Sequence, residues 1–163
     1  MAELIRFELT DLPVCRIIGR EAAVENGQNP LPPLWSRCFG DGTFEKLEQM
    51  TDSLFPDALY DAADAYLDWC DGKRCIVGMV MKPGTVPPEG FDFAELPACQ
   101  LALGQVKGTE SEVYAEAERL MLPLIEQAGK IPGNFMIEVY ACPRFTTPAP
   151  DGTVILDYYL QVK

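Results

Sequence analysis

The chain has 163 residues, enough for one domain with a buried core, and its 48% hydrophobic and 23% charged residues exclude intrinsic disorder. Thirteen Lys and Arg against 25 Asp and Glu give a net charge of −12, which argues against binding nucleic acid by this chain alone, because phosphate recognition needs cations to displace counterions. There is no histidine, so the usual acid/base residue and the commonest transition-metal ligand are both missing.

No apolar run approaches the roughly 20 residues that span a bilayer. Met1-Ala2-Glu3-Leu4-Ile5-Arg6 has no basic region followed by an apolar stretch, so no signal or transit peptide is read. The six cysteines, Cys15, Cys38, Cys70, Cys75, Cys99 and Cys142, form no CxxC pair and match no zinc framework. Buried reduced thiols in a cytoplasmic protein are expected, with no disulfide, metal or cofactor and no membrane association.

In chain order, Glu3 to Thr10 alternates as a strand, Asp11-Leu12-Pro13 breaks it, and Val14 to Val24 reads as a second strand. Asn26 to Pro33 is a loop rich in Gly, Asn and Pro. Leu34, Trp35, Cys38 and Phe39 then fall at helical spacing. Gly40-Asp41-Gly42 interrupts them, and Thr43 caps a second helical piece carrying Phe44, Leu47 and Met50. Asp52 to Asp64 reads as an irregular approach to a strand at Ala65 to Cys70. Asp71-Gly72 is a hairpin turn, Arg74 to Met81 the returning strand, and Lys82 to Pro88 a proline-rich linker or edge loop.

The second half repeats this order. Cys99 to Lys107 is a strand, and a helix follows through Gln127, with Thr109 as cap, Glu112 three residues later, and Val113, Ala117, Leu120, Leu124 and Ile125 as its apolar face. Pro123 should distort that helix. Phe135 to Ala141 is a strand, Pro143 to Pro150 a loop, and Thr153 to Val162 a last strand. The expected fold is α+β: one domain over 1–163, made of two strand-helix-strand-strand repeats at about 1–82 and 89–163, related by a pseudo-twofold axis, with a groove between them. Leu12-Pro13 aligns with Leu96-Pro97, and Trp69 with Tyr140.

Several phrases carry a family resemblance: Leu12-Pro13-Val14-Cys15-Arg16-Ile17-Ile18-Gly19, Pro33-Leu34-Trp35-Ser36-Arg37-Cys38-Phe39, Val86-Pro87-Pro88-Glu89-Gly90-Phe91, Lys107-Gly108-Thr109, Ile137-Glu138-Val139-Tyr140 and Ile155-Leu156-Asp157-Tyr158-Tyr159-Leu160. In order and spacing they resemble the GyrI-like domain, the effector-binding domain of AraC- and MerR-type regulators. The resemblance implies an SHS2-like duplicated fold and a groove that takes lipophilic or cationic ligands against an acidic residue of the second repeat, a position matched by Glu138. A stand-alone member is expected, since no basic helix-turn-helix segment precedes the domain.

The residues themselves agree. On the strand Phe135 to Ala141, Met136, Glu138 and Tyr140 share one face, and Phe135, Ile137 and Val139 share the other. The wholly apolar face should meet the helices, leaving Glu138 toward a cleft where desolvation would raise its pKa. A flat aromatic cation there would be held by charge and by stacking on Tyr140 and Trp69. The candidate ligand-binding residues are therefore Glu138, Tyr140, Trp69, Met136, Leu67, Trp35, Phe39 and Tyr114.

Blander readings stand beside these. Glu138 fits an exposed strand carboxylate, Trp35, Phe39 and Trp69 fit core packing, and Tyr114 fits a solvent-facing position. Asp61, Asp64, Asp68 and Asp71 fit a solvated acidic stretch better than a metal loop, because they lack the spacing and glycine of a calcium site. Three uses of the fold remain open: small-molecule binding, hydrolysis of reactive cyclopropane-type compounds with Glu138 as catalytic base, and a protein-interaction role such as gyrase inhibition.

Overall fold

The computed structural model describes residues 1–60 and 65–163. In chain order its elements are β1 (Glu3–Leu12), β2 (Cys15–Ala23), α1 (Leu31–Gly40), α2 (Thr43–Glu48), a 3-10 turn (Pro56–Ala58), β3 (Tyr66–Cys70), β4 (Arg74–Met81), β5 (Asp92–Leu96), β6 (Cys99–Gly108), α3 (Glu110–Gln127), β7 (Pro132–Tyr140) and β8 (Val154–Val162). The architecture is α+β with antiparallel pairing. Among the described residues no helix is long and apolar enough to cross a membrane.

The chain forms two compact units. The first is Leu12–Ala98, and the second joins Met1–Asp11 to Cys99–Lys163. These bounds differ from the repeats read in the sequence at about 1–82 and 89–163, because β1 counts with the second unit. In the first unit the strand order is β3-β4-β2-β5, and each neighbouring pair is antiparallel. In the second it is β1-β6-β8-β7, with β8 antiparallel to both β6 and β7.

Strand β5 is absent from the elements read in the sequence. Its five residues alternate, with Ala94 and Leu96 buried and Phe93 and Glu95 exposed, but prolines close on both ends hide the pattern. It pairs with β2 through Cys15↔Leu96 and Ile17↔Ala94. Gly19 and Gly78 face each other across β2 and β4. A Cβ on Gly19 would fall 1.9 Å from the Val77 carbonyl oxygen, and one on Gly78 would fall 1.9 Å from that of Ile18. Only glycine permits this approach of two backbones.

Helix α1 starts three residues earlier than its apolar spacing suggests. Pro32 and Pro33 lie in its first turn, where the missing N–H groups would have no helical acceptor anyway. The sequence points to Thr43 as the cap of α2, but Gly42 takes that position in the left-handed region at φ 75°. The Thr43 hydroxyl instead bonds to the Asp41 carboxylate and accepts from Arg20 Nε at 3.2 Å. Leu34, Cys38 and Phe44 of the two helices then cover Val77, while Leu47 packs with Ile18, Met79 and Met81.

Helix α3 follows its sequence signals closely. Thr109 and Glu112 form a capping box, with the Thr109 N–H donating to Glu112 at 3.1 Å. Its buried stripe is Val113, Ala117, Met121 and Ile125, in steps of four; Met121 takes the central place that Leu120 and Leu124 fill in the sequence reading. The stripe lies on Ala102 and Val106 of β6 and on Leu156, Tyr158 and Leu160 of β8. Each fully buried Val, Met or Ile there contributes roughly 1.5–3 kcal/mol.

The cysteines correct one expectation. Cys70 and Cys75 are bonded as a disulfide across the β3–β4 hairpin. The antiparallel register sets them directly opposite, with a Cα–Cα distance of 4.2 Å, a proximity that cysteine spacing alone does not reveal. The other four cysteines lie outside the disulfide: Cys15 and Cys38 are buried, Cys99 is half-buried and Cys142 is exposed.

Candidate functional site

In the second unit, β7 alternates as expected but presents its faces the other way round. Met136 and Tyr140 pack with the cluster that includes Val113, Ala117 and Met121, so the Met136–Glu138–Tyr140 face is the one that meets α3. The wholly apolar Phe135–Ile137–Val139 face is buried on the other side. Because both faces of β7 are covered, apolarity alone does not say which one meets the helix.

Glu138 lies opposite Tyr158 on β8 and is 6% exposed. The Tyr114 ring on α3 lies 6.3 Å from that of Tyr140 and 6.2 Å from that of Phe145, and Tyr140 meets Phe145 edge-on at 4.7 Å. Burial raises the Tyr114 pKa first, and the charges of Glu110 and Glu138 add to it, against an opposing hydrogen bond with Tyr140. The Tyr114 hydroxyl donates to Glu110 at 3.2 Å. A nearly buried carboxylate therefore lies opposite Tyr158 and acts by its charge on Tyr114, whose ring adjoins Tyr140 and Phe145. Tyr158 and Phe145 are additions to the residues read from the sequence.

In the first unit, Tyr66 and Asp68 of β3 face α1 and α2. Asp68 is fully buried and accepts the Trp35 indole N–H at 3.1 Å. Tyr66 stacks on Phe44 at 3.7 Å and 7°, Trp35 lies 5.6 Å from Phe44, and Phe39 lies 5.2 Å from Phe44. Leu67 and Trp69 point to the opposite face and are buried there, with the Arg74 guanidinium 5.2 Å from the Trp69 ring centre. Trp69 thus faces away from its unit's helices, whereas Tyr140 faces toward α3, and the sequence pairing of Trp69 with Tyr140 does not hold. The residue beside the aromatic cluster is Asp68.

The four aspartates read as an acidic stretch also separate. Asp61 and Asp64 lie outside the described residues. Asp68 is a core carboxylate, which corrects its reading as solvated. Asp71 shapes the hairpin by accepting the N–H groups of Lys73 and Arg74 at 2.9 and 3.0 Å.

The second unit also has a surface cavity of about 260 Å³, bordered by Lys107, Arg144, Thr147 and Ile155, and Glu138 is not among its lining residues. Its Arg144 is committed to the fully buried Asp157, which it holds through Nε at 2.9 Å and through Nη2, while Gln105 donates to the same carboxylate at 3.1 Å. That arrangement satisfies a buried charge rather than presenting one.

Several solved structures share this fold. A bacterial transcription regulation protein from Staphylococcus aureus MU50 superposes with a TM-score of 0.70 at 19% identity, over 97% of this chain and 98% of that one. SAV2435 bound to tetraphenylphosphonium gives 0.71 at 18% identity, over 98% and 94%. The C-terminal domain of EcmrR gives 0.63 at 12% identity, over 97% of each. The chain therefore shares the fold of these proteins, which is consistent with the GyrI-like resemblance in its sequence. No protein-family model and no curated protein matches it.

Proposed function

We propose that residues 1–163 are one GyrI-like binding domain that takes hydrophobic or cationic small molecules, with Glu138 as the charge partner and Tyr140, Tyr114 and Met136 as its surroundings. The observation that carries this reading is the near-complete burial of Glu138 on the face it shares with Met136 and Tyr140. A carboxylate held out of water gains much when a cation arrives, and aromatic faces add to that gain. A neighbour with the same fold is bound to tetraphenylphosphonium, a lipophilic cation, which supports the ligand class.

The two units are also read as copies of one strand-helix-strand-strand motif. Leu12-Pro13 precedes β2 as Leu96-Pro97 precedes β6. The cross-strand row Arg20–Val77–Asp68 in the first unit has the form of Gly104–Tyr158–Glu138 in the second. On this reading Asp68, a buried carboxylate on the helix-facing side of β3, is the counterpart of Glu138.

Equilibrium dialysis with tetraphenylphosphonium tests the reading. Saturable binding that weakens in Glu138→Gln supports it. Equal binding by parent and variant, or no binding by the parent, overturns it.

A further inference from the structure

We propose that the first unit carries its own site for a flat organic cation, built from Trp35, Phe39, Phe44 and Tyr66 above Asp68. It shares its ligand class with the reading above but depends on none of the residues that reading uses in the second unit.

Four rings from three elements converge here: Trp35 and Phe39 from α1, Phe44 from α2 and Tyr66 from β3. Phe44 is almost fully buried, as core packing requires. Phe39 is not: it is 61% exposed while its ring lies 5.8 Å from Trp35, 5.2 Å from Phe44 and 6.2 Å from Tyr66. The cluster thus ends in an aromatic surface open to solvent.

Two carboxylates bond directly to the cluster. Asp68 lies beneath Trp35, and Glu48 accepts the Tyr66 hydroxyl. Burial first, then the hydrogen bond to Glu48 and the charges of Glu48 and Glu45, push the Tyr66 pKa up. Arg37, the cation of α1, is drawn to Asp41 at 3.5 Å. Electron-rich ring faces backed by carboxylates favour a delocalised cation over a neutral ring of equal shape. Helical spacing of Trp35 and Phe39 by itself indicates core packing; their convergence with Tyr66 and Asp68 exists only in the folded unit.

N-methylacridinium is the probe, with acridine at pH 8 as its neutral counterpart of similar shape. Equilibrium dialysis should count two N-methylacridinium ions per parent chain, one in Glu138→Gln and one in Phe39→Ala. Phe39 is exposed, so its loss leaves the fold intact, and circular dichroism checks this. In Trp69→Phe/Glu138→Gln the remaining indole is Trp35, whose fluorescence should be quenched saturably by the cation and about tenfold less effectively by acridine, the ratio that 1.4 kcal/mol of charge preference produces. Glu48→Gln should weaken the quenching. A single ion in the parent that is lost in Glu138→Gln, or unaltered quenching in Phe39→Ala, overturns this site and leaves the Glu138 reading standing. A single ion retained in Glu138→Gln and lost in Phe39→Ala does the reverse.

Discussion

The Trp35 indole donates to Asp68 at 3.1 Å, so that helix α1 is tied to strand β3 through a carboxylate with no exposure to solvent. A buried charge depends on every donor it has. Trp35→Phe keeps an aromatic ring but removes one, and it should cost about 1–3 kcal/mol. Urea unfolding of parent and variant measures this; a loss below a few tenths would mean that the hydrogen bond is not a stabilising one.

Backbone proximity sets a sharper contrast between two glycines. Gly78→Ala drives a methyl group into the Ile18 carbonyl and should destabilise by about 3 kcal/mol or more, above the usual range for overpacking because backbone cannot yield as a side chain does. Gly40 has open space around it and closes α1, so Gly40→Ala should be neutral or stabilise by up to about 1 kcal/mol. Thermal melts of the two variants decide the matter.

Alkaline titration should find Tyr66 ionising at about pH 12, above the ordinary tyrosine value of 10.0, because burial and the adjacent Glu48 oppose a phenolate. The folded state then holds its proton where the unfolded state has lost it. Stability linked to this group is fully present below pH 10, and falls as pH rises toward 12. Phenolate absorbance followed in parent and Tyr66→Phe tests this: the variant should lack one late-titrating tyrosine. Tyr114 also titrates late, so the comparison rests on the difference between the two proteins.

Thiol counting checks the cysteine pattern. Denatured without reductant, the chain should expose four thiols, from Cys15, Cys38, Cys99 and Cys142. Six thiols would mean that Cys70 and Cys75 are not bonded. Since the bond closes only a short hairpin, Cys70→Ser/Cys75→Ser should cost no more than about 2 kcal/mol on chain-entropy grounds.

At Glu138 the expected loss of tetraphenylphosphonium affinity in Glu138→Gln is about 1–3 kcal/mol, or roughly 5- to 150-fold. Binding alone also predicts that a strained cyclopropane-bearing electrophile incubated with the parent protein is recovered unchanged. Multiple turnovers that vanish in Glu138→Gln would instead make this carboxylate a general base.

The sequence by itself determined what depends on near neighbours. Thr109 and Glu112 mark the start of α3 because a capping box spans one turn. Alternation groups Met136, Glu138 and Tyr140 on one face because successive strand residues point to opposite sides. Tertiary structure decided what depends on distant partners. Whether that face meets α3 or turns from it could not be read from β7, since both its faces are buried. The Cys70–Cys75 bond follows from a cross-strand register, and the Trp35–Asp68 contact joins residues 33 positions apart. The partner of β5 and the unit to which β1 belongs are likewise matters of pairing: a strand's own pattern states that it pairs, and only the folded sheet states with whom.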